Sequence, residues 1–179
     1  MIYRSEEVEK NAVYDAASQM AVAARTAPKG CGIDDIETLV LDGEAKDALA
    51  EEMRLIGKEV GSEFFARDAD NVDASICVVF IGARHASKGL SDCASCGFET
   101  CADMYKAGGR CTINVVDLGI AVGSAVAIAA DNRIDNRIMH TAGKAALRQG
   151  LFSEDVNVCY GIPLSVTGKS PYFDRDLVR

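Results

Sequence analysis

Four cysteines fall within "CASCGFETCADMYKAGGRC": Cys93, Cys96, Cys101 and Cys111, spaced C-x2-C-x4-C-x9-C. Two thiolates two residues apart can grip one metal centre, because a tight turn brings both sulfurs to one side. Ala94, Ser95, Gly97, Gly108 and Gly109 are small enough for such turns, whose peptide N–H groups can face inorganic sulfide and offset its negative charge. Three cysteines within nine positions suit a polynuclear cluster, which needs corners on several sides. Structural zinc more often takes two C-x2-C knuckles, or one knuckle and a histidine pair, and no second C-x2-C occurs here. The spacing predicts a [4Fe–4S] cluster on Cys93, Cys96, Cys101 and Cys111. Zinc is the competing metal, and a metal-free set of redox thiols is a third reading. Cys31, between glycines in "PKGCG", competes with Cys111 for the fourth position. Cys77 and Cys159 lie in apolar, strand-like runs and read as buried structural thiols.

A chain that holds such a loop must supply a frame for it. The 179 residues fit one domain over 1–179, and 49% of them are hydrophobic, enough for a full core. With no Trp and 6% aromatics, that core should be aliphatic. An apolar stripe of Val8, Ala12, Ala16, Met20 and Ala24 predicts a first helix, capped at Ser5 and ending before Pro28. "IETLVLDG" (36–43) reads as a strand. A helix over 44–60 follows, burying Ala45, Leu49, Met53, Ile56 and Val60 and stopping at Gly61. "SICVVFIG" (75–82) reads as a strand covered on both faces. After the cysteine loop, "VVDLGIAVGSAVAIAA" (115–130) predicts a central helix buried nearly all round, with Gly119, Gly123 and Ala127 as a groove for close backbone approach. "DNRIDNRI" (131–138) is a tandem repeat that reads as a solvated or interface face. A helix ending at Gly150 and a third strand over 155–162 complete the order. More helices than strands, and an irregular alternation, imply a layered α+β domain.

The charge bounds the partners. A formal net charge of −8 repels phosphate backbones and anionic lipid surfaces, so neither nucleic acid nor a membrane is expected as a partner. The opening "MIYRSEEVEKNAVYD" is too polar for a secretory signal, and the apolar stretch at 115–130 is short for a bilayer and carries Asp117. A cytoplasmic protein with reduced thiols is expected, in which clustered cysteines bind metal or do redox chemistry.

The segment "CASCGFETCADMYKAGG" resembles a small four-iron domain, C-x2-C-G-x3-C followed by a short helix, matched here by Cys93, Cys96, Gly97 and Cys101. The fourth cysteine comes sooner here than in that domain. The whole chain, including "ARTAPKGCGIDDIETLV" and "YGIPLSVTGKSPYFDR", resembles an uncharacterised ferredoxin-domain family of bacteria and archaea. A looser likeness joins it to the flavin-dependent nitroreductases. Ala23, Ala24, Arg25, Ala27 and Pro28 match the end of their first helix, "DLGIAVGSAVAIAADN" is similar to their long central helix, and "YGIP" to a late strand. That likeness implies a nitroreductase-like layered fold, an FMN site and, by analogy, a homodimer. The arginine run that holds the flavin phosphate in that family is absent here, which leaves Arg25, Lys29, Lys169 and Arg175 as candidate phosphate ligands. The expected activity is electron transfer, or an oxidoreductase reaction, with a redox partner protein or a small-molecule acceptor. A zinc-stabilised interaction module without catalysis is the alternative.

Overall fold

The structure is a computed structural model and describes residues 1–173. Four strands, β1 (Ile36–Asp42), β2 (Cys77–Arg84), β3 (Asp135–Asn136) and β4 (Val156–Ser165), form one antiparallel sheet in the order β1–β2–β4–β3. β2 is central. Val79 lies opposite Val40 on one side and Ile162 on the other. Both faces of β2 are buried, as its unbroken apolar run requires: side chains alternate across a strand, so a run without polar positions must be covered twice.

Each face has its own helical layer. α1 (Ser5–Thr26) and α5 (Thr112–Asp131) cover one face, where Val13, Met20, Leu118 and Ala125 meet Val79, Ile81 and Ile162. α2 (Gly43–Val60), α3 (Glu63–Asp73) and α6 (His140–Arg148) cover the other, where Leu49, Met53, Val72 and Ala142 meet Val78 and Phe80. Phe80 stacks edge-on with Phe152 at 6.4 Å between ring centres. Each such fully buried side chain contributes about 1.5–3 kcal/mol. The domain is therefore three-layered, helices on both sides of a sheet. α6 sits unusually close to β4: a Cβ added to Gly143 would lie 1.9 Å from the carbonyl oxygen of Cys159, so only glycine permits this approach.

Several expectations need correction. Arg4, not Ser5, stands at the N-cap of α1, and the buried stripe is Val13, Ala16, Ala17, Met20 and Ala24. Val8 and Ala12 are exposed, because the first two turns of α1 project beyond the sheet's core. On α2, Ala45 and Val60 are exposed, and Lys46, Ala50 and Gly57 take buried places. The "DNRIDNRI" segment leaves the helix at Asp131 and contributes β3.

The largest correction concerns α5. Its inner face packs on α1 and the sheet, but Val115, Val116, Gly119, Ile120, Gly123 and Ala127 are exposed, Val116 at 52% and Ile120 at 41%. Side chains on Gly119 or Gly123 would meet nothing within 4 Å. The helix is buried on one side only. By length and composition it could cross a membrane, with a mean hydropathy of 1.9 over an 18-residue window. Its inner face is instead committed to this domain.

Candidate metal centre

The loop between β2 and α5 carries the four cysteines, and its two ends are fixed before any metal is considered. At the first end, Lys88 is buried, its side chain 1% exposed. Its ammonium donates to the Ile33 carbonyl (2.8 Å) and to Asp35 (2.7 Å), and pairs with Asp117 on α5 (3.1 Å). Asp117, itself buried, accepts the N–H of Gly30 through both oxygens, at 2.9 and 3.1 Å. A Cβ on Gly30 would come within 2.8 Å of Ile113, so glycine lets this turn settle on the helix. Burial alone would lower the pKa of Lys88, but its bonds to Asp35 and Asp117 outweigh burial and the net shift is upward. At the second end, Cys111 is the N-cap of α5. His85 ties the two ends together: its Nε2 lies 3.0 Å from the Gly109 carbonyl, which only accepts, so Nε2 carries the proton. Its ring stands edge-on to Tyr105 of α4 (Cys101–Lys106) at 5.0 Å.

Between these anchors the chain coils tightly. Asp92 and Ala94 have φ of 55° and 44°, a left-handed conformation that costs a residue with a Cβ about 1–2 kcal/mol. The Gly97 N–H bonds the Ala94 carbonyl at 2.9 Å and closes the turn from Cys93 to Cys96. Thr100 caps α4, accepting the Asp103 N–H at 3.1 Å, and so orients Cys101 at the helix start. Cys93 Sγ lies 3.3 Å from Ser95 Oγ, and hydrogen bonding from Ser95 lowers the Cys93 pKa.

Cys93, Cys96, Cys101 and Cys111 all line one small, partly open cavity. Leu90, Phe98, Met104 and Ile113 supply its apolar wall. No disulfide joins any of the seven cysteines. Among the described residues no group of three or more His, Cys, Asp or Glu side chains is gathered tightly enough to hold a single metal ion. Cys31 lies on the neighbouring 3₁₀ turn (Gly30–Gly32), exposed and not part of that cavity, so of the two competitors for the fourth position Cys111 is the one beside the other three. Cys77 and Cys159 are buried in β2 and β4, as their surroundings implied.

The candidate phosphate ligands are placed differently. Arg25 bonds Asp34 (2.5 Å) and the Ile36 carbonyl (2.7 Å). The Lys29 ammonium donates to the carbonyls of Ala24, Arg25 and Ala27, closing the C-terminal end of α1. Lys169 is exposed beyond β4, and Arg175 lies outside the described residues. The anchors Lys88 and Asp35 were not singled out by the sequence. The one local signal was Asp117, an acid inside an otherwise apolar helix.

Residues 107–175 match the family model described as "Uncharacterized protein containing a ferredoxin domain (DUF2148)". A protein of Archaeoglobus fulgidus is 41% identical over 183 residues, which cover 98% of each chain. Among solved structures, the nitroreductase CinD of Lactococcus lactis, in complex with chloramphenicol, aligns with a TM-score of 0.62 at 14% identity, over 88% of this chain and 79% of that one. A nitroreductase family protein of Clostridium novyi aligns at 0.54 and 16%, over 85% and 73%. An oxidoreductase containing FMN aligns at 0.56 and 12%, over 87% and 67%. These likenesses concern the fold, which is nitroreductase-like. This chain belongs to the family of uncharacterised proteins described as containing a ferredoxin domain, and its own fold is nitroreductase-like.

Proposed function

We propose that this protein is an electron carrier in which Cys93, Cys96, Cys101 and Cys111 hold a [4Fe–4S] cluster. The observation that carries the reading is that these four thiols, from three separate turns of one loop, line the same cavity. The donor set fits the group: four soft sulfurs, a partly apolar wall, and a loop anchored independently of metal. On a single zinc the sulfurs would stand about 3.8 Å apart at a 2.3 Å bond length, whereas a cubane takes each thiolate on its own iron and spreads them further. When bound, such a cluster supplies one-electron transfer.

The residues of the chain set the conditions for it. Cys111 stands at the N-cap of the 20-residue helix α5 and makes no side-chain capping hydrogen bond there, so its sulfur is not committed to the helix end. Leu90, Phe98, Met104 and Ile113 restrict water around the sulfurs. The electron partner is a second redox protein or a small-molecule acceptor, in a cytoplasm that keeps thiols reduced. The uncovered apolar face of α5 seats a second copy of the chain, because Gly119, Gly123 and Ala127 allow a like helix to approach closely and no charge interrupts the face before Asp131.

FMN is a second reading, favoured by a fold shared with an oxidoreductase that contains FMN. In that case the cluster would pass single electrons to the flavin and the protein would be an oxidoreductase. Arg25 and Lys29 would first have to give up internal partners to reach a phosphate. A substitution series tests the main reading. Protein purified anaerobically from Cys93→Ser, Cys96→Ser, Cys101→Ser and Cys111→Ser variants should lose most of its iron, while Cys31→Ser and Cys159→Ser keep it. Iron retained in the loop variants, or lost from Cys31→Ser alone, overturns the assignment. A yellow protein with flavin absorbance and no iron selects the flavin alone.

A further inference from the structure

Asn114 stands three residues after Cys111 in the first turn of α5 and is 4% exposed. Its Nδ2 donates to the Arg84 carbonyl at 2.8 Å, at the end of β2. That bond fixes which way the amide faces, since a carbonyl can only accept. Oδ1 is therefore turned away from Arg84. It is fully buried and has no donor. Folded proteins rarely leave a buried amide oxygen unpaired, because its lost bonds to water go unreplaced. Asn114 also lines a small, separate cavity shared with Arg84, His85, Arg110, Cys111 and Asn157, with room for about one water molecule. Ala83, Ala86, Val115 and Val158 make up the rest of its wall, so the polar partners open to a water there come from Arg84, His85, Arg110, Cys111, Asn114 and Asn157.

We propose that one water is held in this cavity between Asn114 Oδ1 and Cys111 Sγ, giving one hydrogen to each. Asn114 is then a positioning residue: it touches no iron, but it aims a hydrogen-bond donor at the sulfur of a cluster ligand. A consequence, which rests on the iron–sulfur reading, is that Asn114 sets the reduction potential. A hydrogen bond donated to a ligand sulfur stabilises the reduced cluster, which carries the extra negative charge, more than the oxidised one. Losing it moves the potential downward.

A crystal structure of the purified wild-type protein, at a resolution that shows ordered water, decides the site itself. Density within hydrogen-bonding distance of both Asn114 Oδ1 and Cys111 Sγ supports it, and an empty cavity overturns it. In iron-loaded protein, Asn114→Leu should give a more negative midpoint potential at unchanged iron content. An unchanged or more positive potential overturns the tuning role. If this variant does not fold, the wild-type structure still shows whether the water is there. The two readings fail separately: a protein without iron but with this water sinks the electron carrier and keeps the site, whereas an iron-loaded protein with an empty cavity does the reverse.

Discussion

The Cys93 thiol, 3.3 Å from the Ser95 hydroxyl, has its pKa lowered by that contact, while burial first and the Asp42 charge second push Cys77 up to about 12. Burial raises Cys159 as well. Since the thiolate is the reactive form, the same residue type should behave oppositely at these positions. In folded, metal-free protein treated with iodoacetamide at neutral pH, Cys93 should be alkylated early, and Cys77 and Cys159 only after denaturation. Mass spectrometry of the peptides checks this, and early labelling of Cys77 contradicts it. At this scale the spacing of Cys93, Cys96, Cys101 and Cys111 marked out four thiols that the structure sets around one cavity. Asn114 and Lys88 escaped because their roles depend on partners far along the chain, Arg84 and the pair Asp35 and Asp117, which no local pattern reveals.

Between elements, the Lys88 ion cluster joins the start of the cysteine loop to α5 and to the Cys31 turn. Removing its cation would leave Asp35 and Asp117 uncompensated in a largely dry site. Breaking a buried pair in this way costs about 3–5 kcal/mol. Lys88→Met should therefore lower the thermal midpoint clearly, and a loss near zero would mean that the cluster is not buried in solution. The pH dependence has a definite sign. A lysine with a raised folded pKa contributes in full below its unfolded value, about 10.4, and loses that contribution as pH rises through the folded value. The gap in thermal stability between wild type and Lys88→Met should thus shrink in strongly alkaline buffer. A gap that widens there contradicts the assignment. Element positions were legible where periodicity was strong: β1, β2, α2 and the end of α2 at Gly61 follow the pattern of the residues. α3 was missed. Its sequence "EFFARDADNVD" is mostly polar, and only Asp68, Ala69 and Val72 are buried, with Asp68 accepting the Thr141 hydroxyl at 2.6 Å.

For the whole molecule, the pattern of apolar stretches carried the layered α+β class, and the nitroreductase-like frame came from the family resemblance of the segments at 23–28, 117–132 and 160–163. The pattern did not carry the sidedness of α5. Hydrophobicity all round a helix reads as full burial, yet only one face meets the rest of the chain. The exposed face predicts a dimer in light scattering at micromolar concentration, and Ile120→Asp should shift it to monomer without lowering iron content. A wild-type monomer at that concentration removes the second copy.

The frame matters because it fixes both ends of the cysteine loop, and the loop matters only if iron fills it. Iron, zinc and acid-labile sulfide measured on protein purified under strict anaerobiosis test that most directly. The expected result is a brown protein with about four iron and four sulfide per chain. A colourless protein carrying one zinc and no sulfide would contradict it.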